Sequence, residues 1–97
     1  MRTVYLNGHY IPETEAKVSI FDRGFLFADA VYEVVSVIDG KLIDFEGHVA
    51  RLHRSMAELR MPQPPAREIL LGMCRELAAR NALNEGMIYF EVTRGNP

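Results

Sequence analysis

The run from Val31 to Ile38, Val-Tyr-Glu-Val-Val-Ser-Val-Ile, constrains the fold more than any other part of the chain. β-Branched side chains dominate it, and such side chains suit a pleated, half-buried strand. Asp39-Gly40 ends the run and Lys41-Leu42-Ile43 follows. An Asp-Gly pair supplies the positive φ angles of a two-residue hairpin turn, so the chain is expected to fold back on itself here. Alternation then assigns the faces: Tyr32, Val34, Ser36 and Ile38 on one, Val31, Glu33, Val35 and Val37 on the other. Tyr32 and Glu33 therefore point opposite ways and do not form an acid–base pair.

The same turn signal recurs at Asn7-Gly8, between Thr3 to Leu6 and His9 to Ile11, and predicts an opening hairpin. Pro12-Glu13-Thr14-Glu15 breaks that ladder, and Lys17 to Ile20 is expected to form a short strand. Phe21 to Asp29 reads as an ordered loop whose Asp22-Arg23-Gly24 makes a fixed turn. Phe25, Leu26 and Phe27 are expected to pack against the rest of the molecule. Two readings of the loop's charges stand level: a site built on a held loop, or a structural ion pair of Arg23 with Asp22 or Asp29.

Asp44 is a candidate N-cap for a helix in which Val49, Leu52, Met56 and Leu59 recur at spacings of three and four. Pro62, Pro64 and Pro65 interrupt, and Pro65 suits the first turn of a second helix. That helix is expected to turn Ile69, Leu70, Met73, Cys74, Leu77 and Ala78 inward and to end near Asn81. Met87 to Thr93 reads as a final strand before the loop-like Arg94-Gly95-Asn96-Pro97. The fold class that follows is α+β: a mostly antiparallel sheet with two helices packed on it.

A chain of 97 residues makes at most one domain. Eleven basic against thirteen acidic residues leave no global attraction for nucleic acid. No apolar run approaches a membrane span, and the N-terminus lacks a signal peptide's apolar stretch. Cys74 is the only cysteine, so the reducing cytoplasm is the default compartment. Its place on an apolar helix face favours a core role over a nucleophilic one. Met56, Met61, Met73 and Met87 read as core filler. His48 and His53 lack ligand spacing and His9 lies in a hairpin, so no metal site is expected. Arg51 offers a planar fork suited to phosphate; a solvated basic face shared with Arg54 and Arg60 is the stronger reading from the residues alone.

Four blocks, in order, nevertheless carry a resemblance. They are Asn7-Gly8; Asp22-Arg23-Gly24 with Phe27, Asp29 and Val31-Tyr32-Glu33-Val34; His48 with Arg51-Leu52; and Ile88-Tyr89-Phe90 with Val92-Thr93-Arg94-Gly95. Together they resemble the N-terminal domain of the fold-type IV pyridoxal-phosphate enzymes, nearest in pattern to the D-amino acid aminotransferases. The resemblance implies pyridoxal 5'-phosphate as cofactor, with Arg51 on its phosphate. It also implies Tyr32 and Val34 at the substrate, the first at the carboxylate and the second shaping the pocket.

Glu33, Arg23 and Asp29 are assigned supporting roles. No catalytic residue is expected in this chain: Lys17 and Lys41 are its only lysines, and neither matches the family's catalytic position. Residues 1–97 are thus expected to be a small N-terminal domain, with the lysine-bearing domain absent. The resemblance further implies a homodimer when full length, acting on small-molecule amino acid and 2-oxo acid substrates. The amino donor that the resemblance implies is a D-amino acid, such as D-alanine. Aminodeoxychorismate lyase, branched-chain aminotransferase and a non-catalytic binding or dimerisation module remain alternatives.

Overall fold

Both Xaa-Gly turns close hairpins. In the computed structural model, which describes residues 1–97, Asn7 and Gly8 have φ of 49° and 92°, and Asp39 and Gly40 have 52° and 71°. Positive φ at both central residues gives the turn the twist of the strands it joins. The first turn connects β1 (Thr3–Leu6) to β2 (His9–Pro12), and the second connects β3 (Ala30–Ile38) to β4 (Lys41–Leu42).

The strands form two antiparallel sheets rather than one. β1 and β2 stand alone, while β3 is the centre of a three-stranded sheet ordered β4-β3-β5, with β5 spanning Gly86–Thr93. A single helical turn, α1 (Arg23–Phe27), precedes β3. Helices α2 (Phe45–Glu58) and α3 (Arg67–Arg80) complete the α+β architecture. The small hairpin is tied on by Asn81, at the end of α3. Its side-chain amide accepts from Thr3 N–H and donates to Thr3 C=O, both at 2.9 Å, as a neighbouring strand would.

Antiparallel register puts Glu33 opposite Phe90 and Val35 opposite Ile88. Those residues, with Val37, face the helices. They meet Phe45, Val49, Leu52 and Met56 of α2, and Leu70, Met73 and Cys74 of α3. The helical stripes thus bury the faces their spacing marked out. The other sheet face carries Tyr32, Val34, Ser36 and Ile38 beside Met87, Tyr89 and Glu91.

Several local expectations are corrected. Lys17 to Ile20 forms no strand, since no neighbouring strand offers it a ladder. Residues 23–27 form α1 instead of an irregular loop, capped by Asp22 accepting from Gly24 N–H at 2.8 Å. Phe25 and Phe27 are 70% and 73% exposed, and Leu26 is also exposed. The turn is held by backbone and polar contacts, so its apolar side chains are left outward. Met87 is exposed because alternation places it with Tyr89, away from the core. Ile69 and Leu59 fall outside the buried stripes.

Asp44 precedes α2 but does not cap it through its side chain. Its φ of 51° is left-handed, whereas an N-cap side chain needs extended backbone to reach back to the first turn. The carboxylate instead lies over Gly47, where a Cβ would come within 2.5 Å of Oδ2. Pro65 lies just before α3, and its carbonyl accepts from His53 Nε2 at 2.7 Å.

Candidate active site

Glu33 is the one charged residue in the core, 3% exposed on a face otherwise lined by valine, isoleucine and phenylalanine. A carboxylate there is tolerable only if paired and hydrogen-bonded. Three donors from α2 converge on it. Arg51 Nε donates to Oε2 at 2.8 Å and Arg51 Nη2 to Oε1 at 2.8 Å; His48 Nδ1 meets Oε1 at 2.6 Å. An ionised carboxylate only accepts, so Nδ1 carries the hydrogen. His48 and Arg51 are three residues apart and hence share one side of the helix, which brings both over β3.

Electrostatics follow from this geometry. The Arg51 bond holds the Glu33 carboxyl below its usual range; burial opposes that and the His48 bond assists it. Arg51 is stabilised as a cation, chiefly by Glu33 and less by Asp44 and the Tyr32 phenol. Its side chain is still 57% exposed, because only the Nε–Nη2 edge is turned inward. A guanidinium has five N–H donors; Glu33 takes two and the other three are left at the surface. Arg51 is thus a fixed fork, and the solvated-face reading does not describe it.

Tyr32 and Val34 sit on the opposite face of β3. Tyr32 is 63% exposed, its hydroxyl bonds to no other group of the chain, and its ring stacks on Tyr89 with centroids 5.6 Å apart and planes at 26°. Tyr89 donates to Glu91 Oε2 at 2.8 Å, and that bond, with some burial, raises the Tyr89 phenol's pKa. Val34 is half-buried, directly opposite Tyr89. Arg51 and Tyr32 are within electrostatic reach of one another, though no hydrogen bond joins them. No local pattern marks Tyr89 as the partner of Tyr32; only the β3–β5 register brings the two rings together.

The two Arg-Gly motifs explain each other. Thr93 Oγ1 donates to Asp22 Oδ2 at 3.1 Å, Arg94 Nε donates to Asp29 Oδ2 at 2.6 Å, and Arg23 Nε donates to the Gly95 carbonyl at 3.0 Å. Asp29 is therefore paired with Arg94 and not with Arg23. Gly24 allows the close approach, since a Cβ there would lie 2.5 Å from Thr93 Cγ2. This knot fixes the segment entering β3 against the end of β5, and so fixes the strand that carries Tyr32.

The remaining candidates lie elsewhere. Cys74 is fully buried, and burial pushes its thiol up to about 11. No three His, Cys, Asp or Glu side chains converge as metal ligands, and no helix is long and apolar enough to cross a membrane. The widest concavity runs between the N-terminal hairpin, α1 and β5, past Tyr5, Val18, Phe25 and Met87; Arg51, Tyr32 and Val34 do not line it.

Residues 30–97 match the family Amino-transferase class IV, and the chain belongs to that family. It is 39% identical over 92 residues to D-alanine aminotransferase of Listeria monocytogenes serotype 4b (strain F2365), covering 95% of this chain and 32% of that protein. The chain spans about a third of the length of the curated relatives it matches.

The fold superposes on branched-chain amino acid aminotransferase from Escherichia coli with a TM-score of 0.87 at 24% identity, over 92% of this chain and 32% of that one. A branched-chain amino acid aminotransferase from T.th., complexed with N-(5'-phosphopyridoxyl)-L-glutamate, is a second solved structure of the same fold. It gives a TM-score of 0.84 at 26% identity, over 93% of this chain and 32% of that one.

Proposed function

We propose that residues 1–97 are the N-terminal small domain of a pyridoxal-phosphate-dependent transaminase that moves an amino group between a D-amino acid, such as D-alanine, and a 2-oxo acid. The observation that carries this reading is Arg51: a cation locked in one orientation, with three donors facing outward, in a member of the class IV family. Such a fork suits phosphate oxygens, which accept bidentate charge-assisted bonds. The residues present therefore fit the group. Pyridoxal phosphate, when bound, supplies the electron-accepting ring for amino-group exchange.

The roles of the chain's own residues follow from where they lie. Arg51 binds the phosphate and Glu33 holds Arg51. Tyr32, braced by Tyr89 and with a free hydroxyl, donates to the substrate carboxylate, and Val34 limits the space beside it. Proton movement at the reacting carbon belongs to a lysine elsewhere in the intact protein, which we place in the cytoplasm as a homodimer. The D-amino acid preference is supported by the D-alanine aminotransferase relatives.

The test is turnover of D-alanine with 2-oxoglutarate by the intact protein, followed as pyruvate formed. Turnover of D-alanine over L-leucine supports the assignment. L-leucine alone would point to a branched-chain enzyme, and cleavage of aminodeoxychorismate without D-alanine turnover to the lyase. No turnover of any of the three would indicate a binding module.

A further inference from the structure

We propose that Glu33 is the positioning residue of the phosphate site, setting the guanidinium plane of Arg51 before the cofactor arrives; the inference rests on the reading of Arg51 as the phosphate anchor. Glu33 occupies a β3 position whose neighbours on the same face, Val35 and Val37, are buried and apolar. Packing alone would be served by another β-branched residue there. A carboxylate at such a position must compensate for its lost hydration, and it does so only through Arg51 and His48.

The geometry of the compensation is directional. The Arg51 side chain is more than half exposed, and a side chain of its length with that freedom ordinarily samples many rotamers. Its Nε and Nη2 bonds to the two oxygens of one carboxylate fix both the position and the plane of the guanidinium. His48 adds a third bond to Oε1, from a ring that is mostly buried, and so restrains the carboxylate against rotation. The ordering cost of the arginine is therefore met on folding, leaving less to be lost when a phosphate binds. Glu33 touches neither phosphate nor substrate: it acts through Arg51, from the face of β3 opposite Tyr32.

A simple structural ion pair would show the same distances, so the test has to read the phosphate itself. The intact apoprotein is titrated with pyridoxal phosphate and, separately, with pyridoxal, which lacks the phosphate. Binding is followed by the change in visible absorbance. The Glu33→Gln variant keeps the shape of the side chain but turns an amide donor toward donors of Arg51 and His48.

The expected result is a loss of roughly tenfold in affinity for pyridoxal phosphate, the equivalent of one charge-assisted bond. Pyridoxal affinity should stay within about twofold of wild type on the same reasoning. In an Arg51→Lys background, where no fork exists to be oriented, Glu33→Gln should cost nothing further. Equal weakening of both ligands, or no weakening of either, overturns the proposal. If Glu33→Gln does not fold, Glu33→Asp keeps the charge, withdraws the oxygens by one methylene and is read in the same way.

Arg51→Ala separates the two levels. If it abolishes the preference for the phosphorylated ligand while Glu33→Gln retains it, the positioning role alone falls. If Arg51→Ala retains the preference, the phosphate assignment falls with it.

Discussion

Gly24→Ala and Gly72→Ala are the same substitution in two helices, and the structure predicts opposite signs. Gly72 lies exposed in the middle of α3, and a Cβ there meets nothing within 4 Å. Helix propensity alone then applies, and alanine should stabilise by about 0.5–1 kcal/mol. At Gly24 the added Cβ would stand 2.5 Å from Thr93 Cγ2 and 2.9 Å from Thr93 Cβ. Thr93 cannot rotate away freely, because its hydroxyl donates to Asp22 and accepts from Gly95 N–H.

Overpacking of this kind costs about 1–3 kcal/mol, and breaking a hydrogen bond to relieve it adds about 1 kcal/mol. Against these stands a propensity gain of at most about 1 kcal/mol in a one-turn helix. Net destabilisation of about 1–3 kcal/mol is expected at Gly24. Urea unfolding of both variants beside wild type reads the difference as opposite shifts of midpoint at constant slope. Thr93→Ser, which deletes the nearest methyl and keeps the hydroxyl, should recover part of the loss. A neutral or stabilising Gly24→Ala would refute the close packing of α1 on β5.

Other predictions concern single groups. Glu33 has a carboxyl pKa lowered by folding, so its stabilisation is complete above the usual carboxylate range. It is lost as pH falls through the lower folded value, and Glu33→Gln should flatten the acid limb of a stability–pH curve. Retention of the full acid limb would mean Glu33 is not the group responsible. Cys74, buried and with its thiol pushed up to about 11, should resist a thiol reagent at neutral pH until the chain is unfolded in urea; rapid labelling of the native protein would contradict its burial. Tyr32→Phe in the intact protein should raise KM for D-amino acids and leave cofactor affinity nearly unchanged. Kinetics equal to wild type would reduce the tyrosine to a stacking partner of Tyr89.

What the sequence made legible was local. Asn7-Gly8 and Asp39-Gly40 announced their hairpins because few residues adopt positive φ at low cost. The stripes of α2 and α3 were readable from spacing, and the alternation of β3 put Tyr32 and Glu33 on opposite faces. What stayed hidden depended on distant pairing. Nothing local tells β5 to join β3 while β1 and β2 form a separate sheet, so Tyr89 could not be matched to Tyr32. From its residues alone Arg51 read as one of several solvated arginines and only the family resemblance set it apart; that Glu33 holds it emerges only when α2 docks on β3.

Phe25 and Phe27 failed for a different reason. Apolar character marks side chains that favour cover, but it does not say that the cover comes from the same 97 residues. At Asp44 a residue with the right side chain for a cap was defeated by a left-handed backbone.

Arg51 is proposed above as the phosphate anchor of a class IV transaminase. Its most direct test is the equilibrium affinity of the intact protein for pyridoxal phosphate, wild type against Arg51→Ala. A loss of roughly ten- to hundredfold is expected, from the removal of a charge-assisted fork. An unchanged affinity would contradict it, leaving Arg51 as nothing more than the counter-ion that keeps Glu33 in the core.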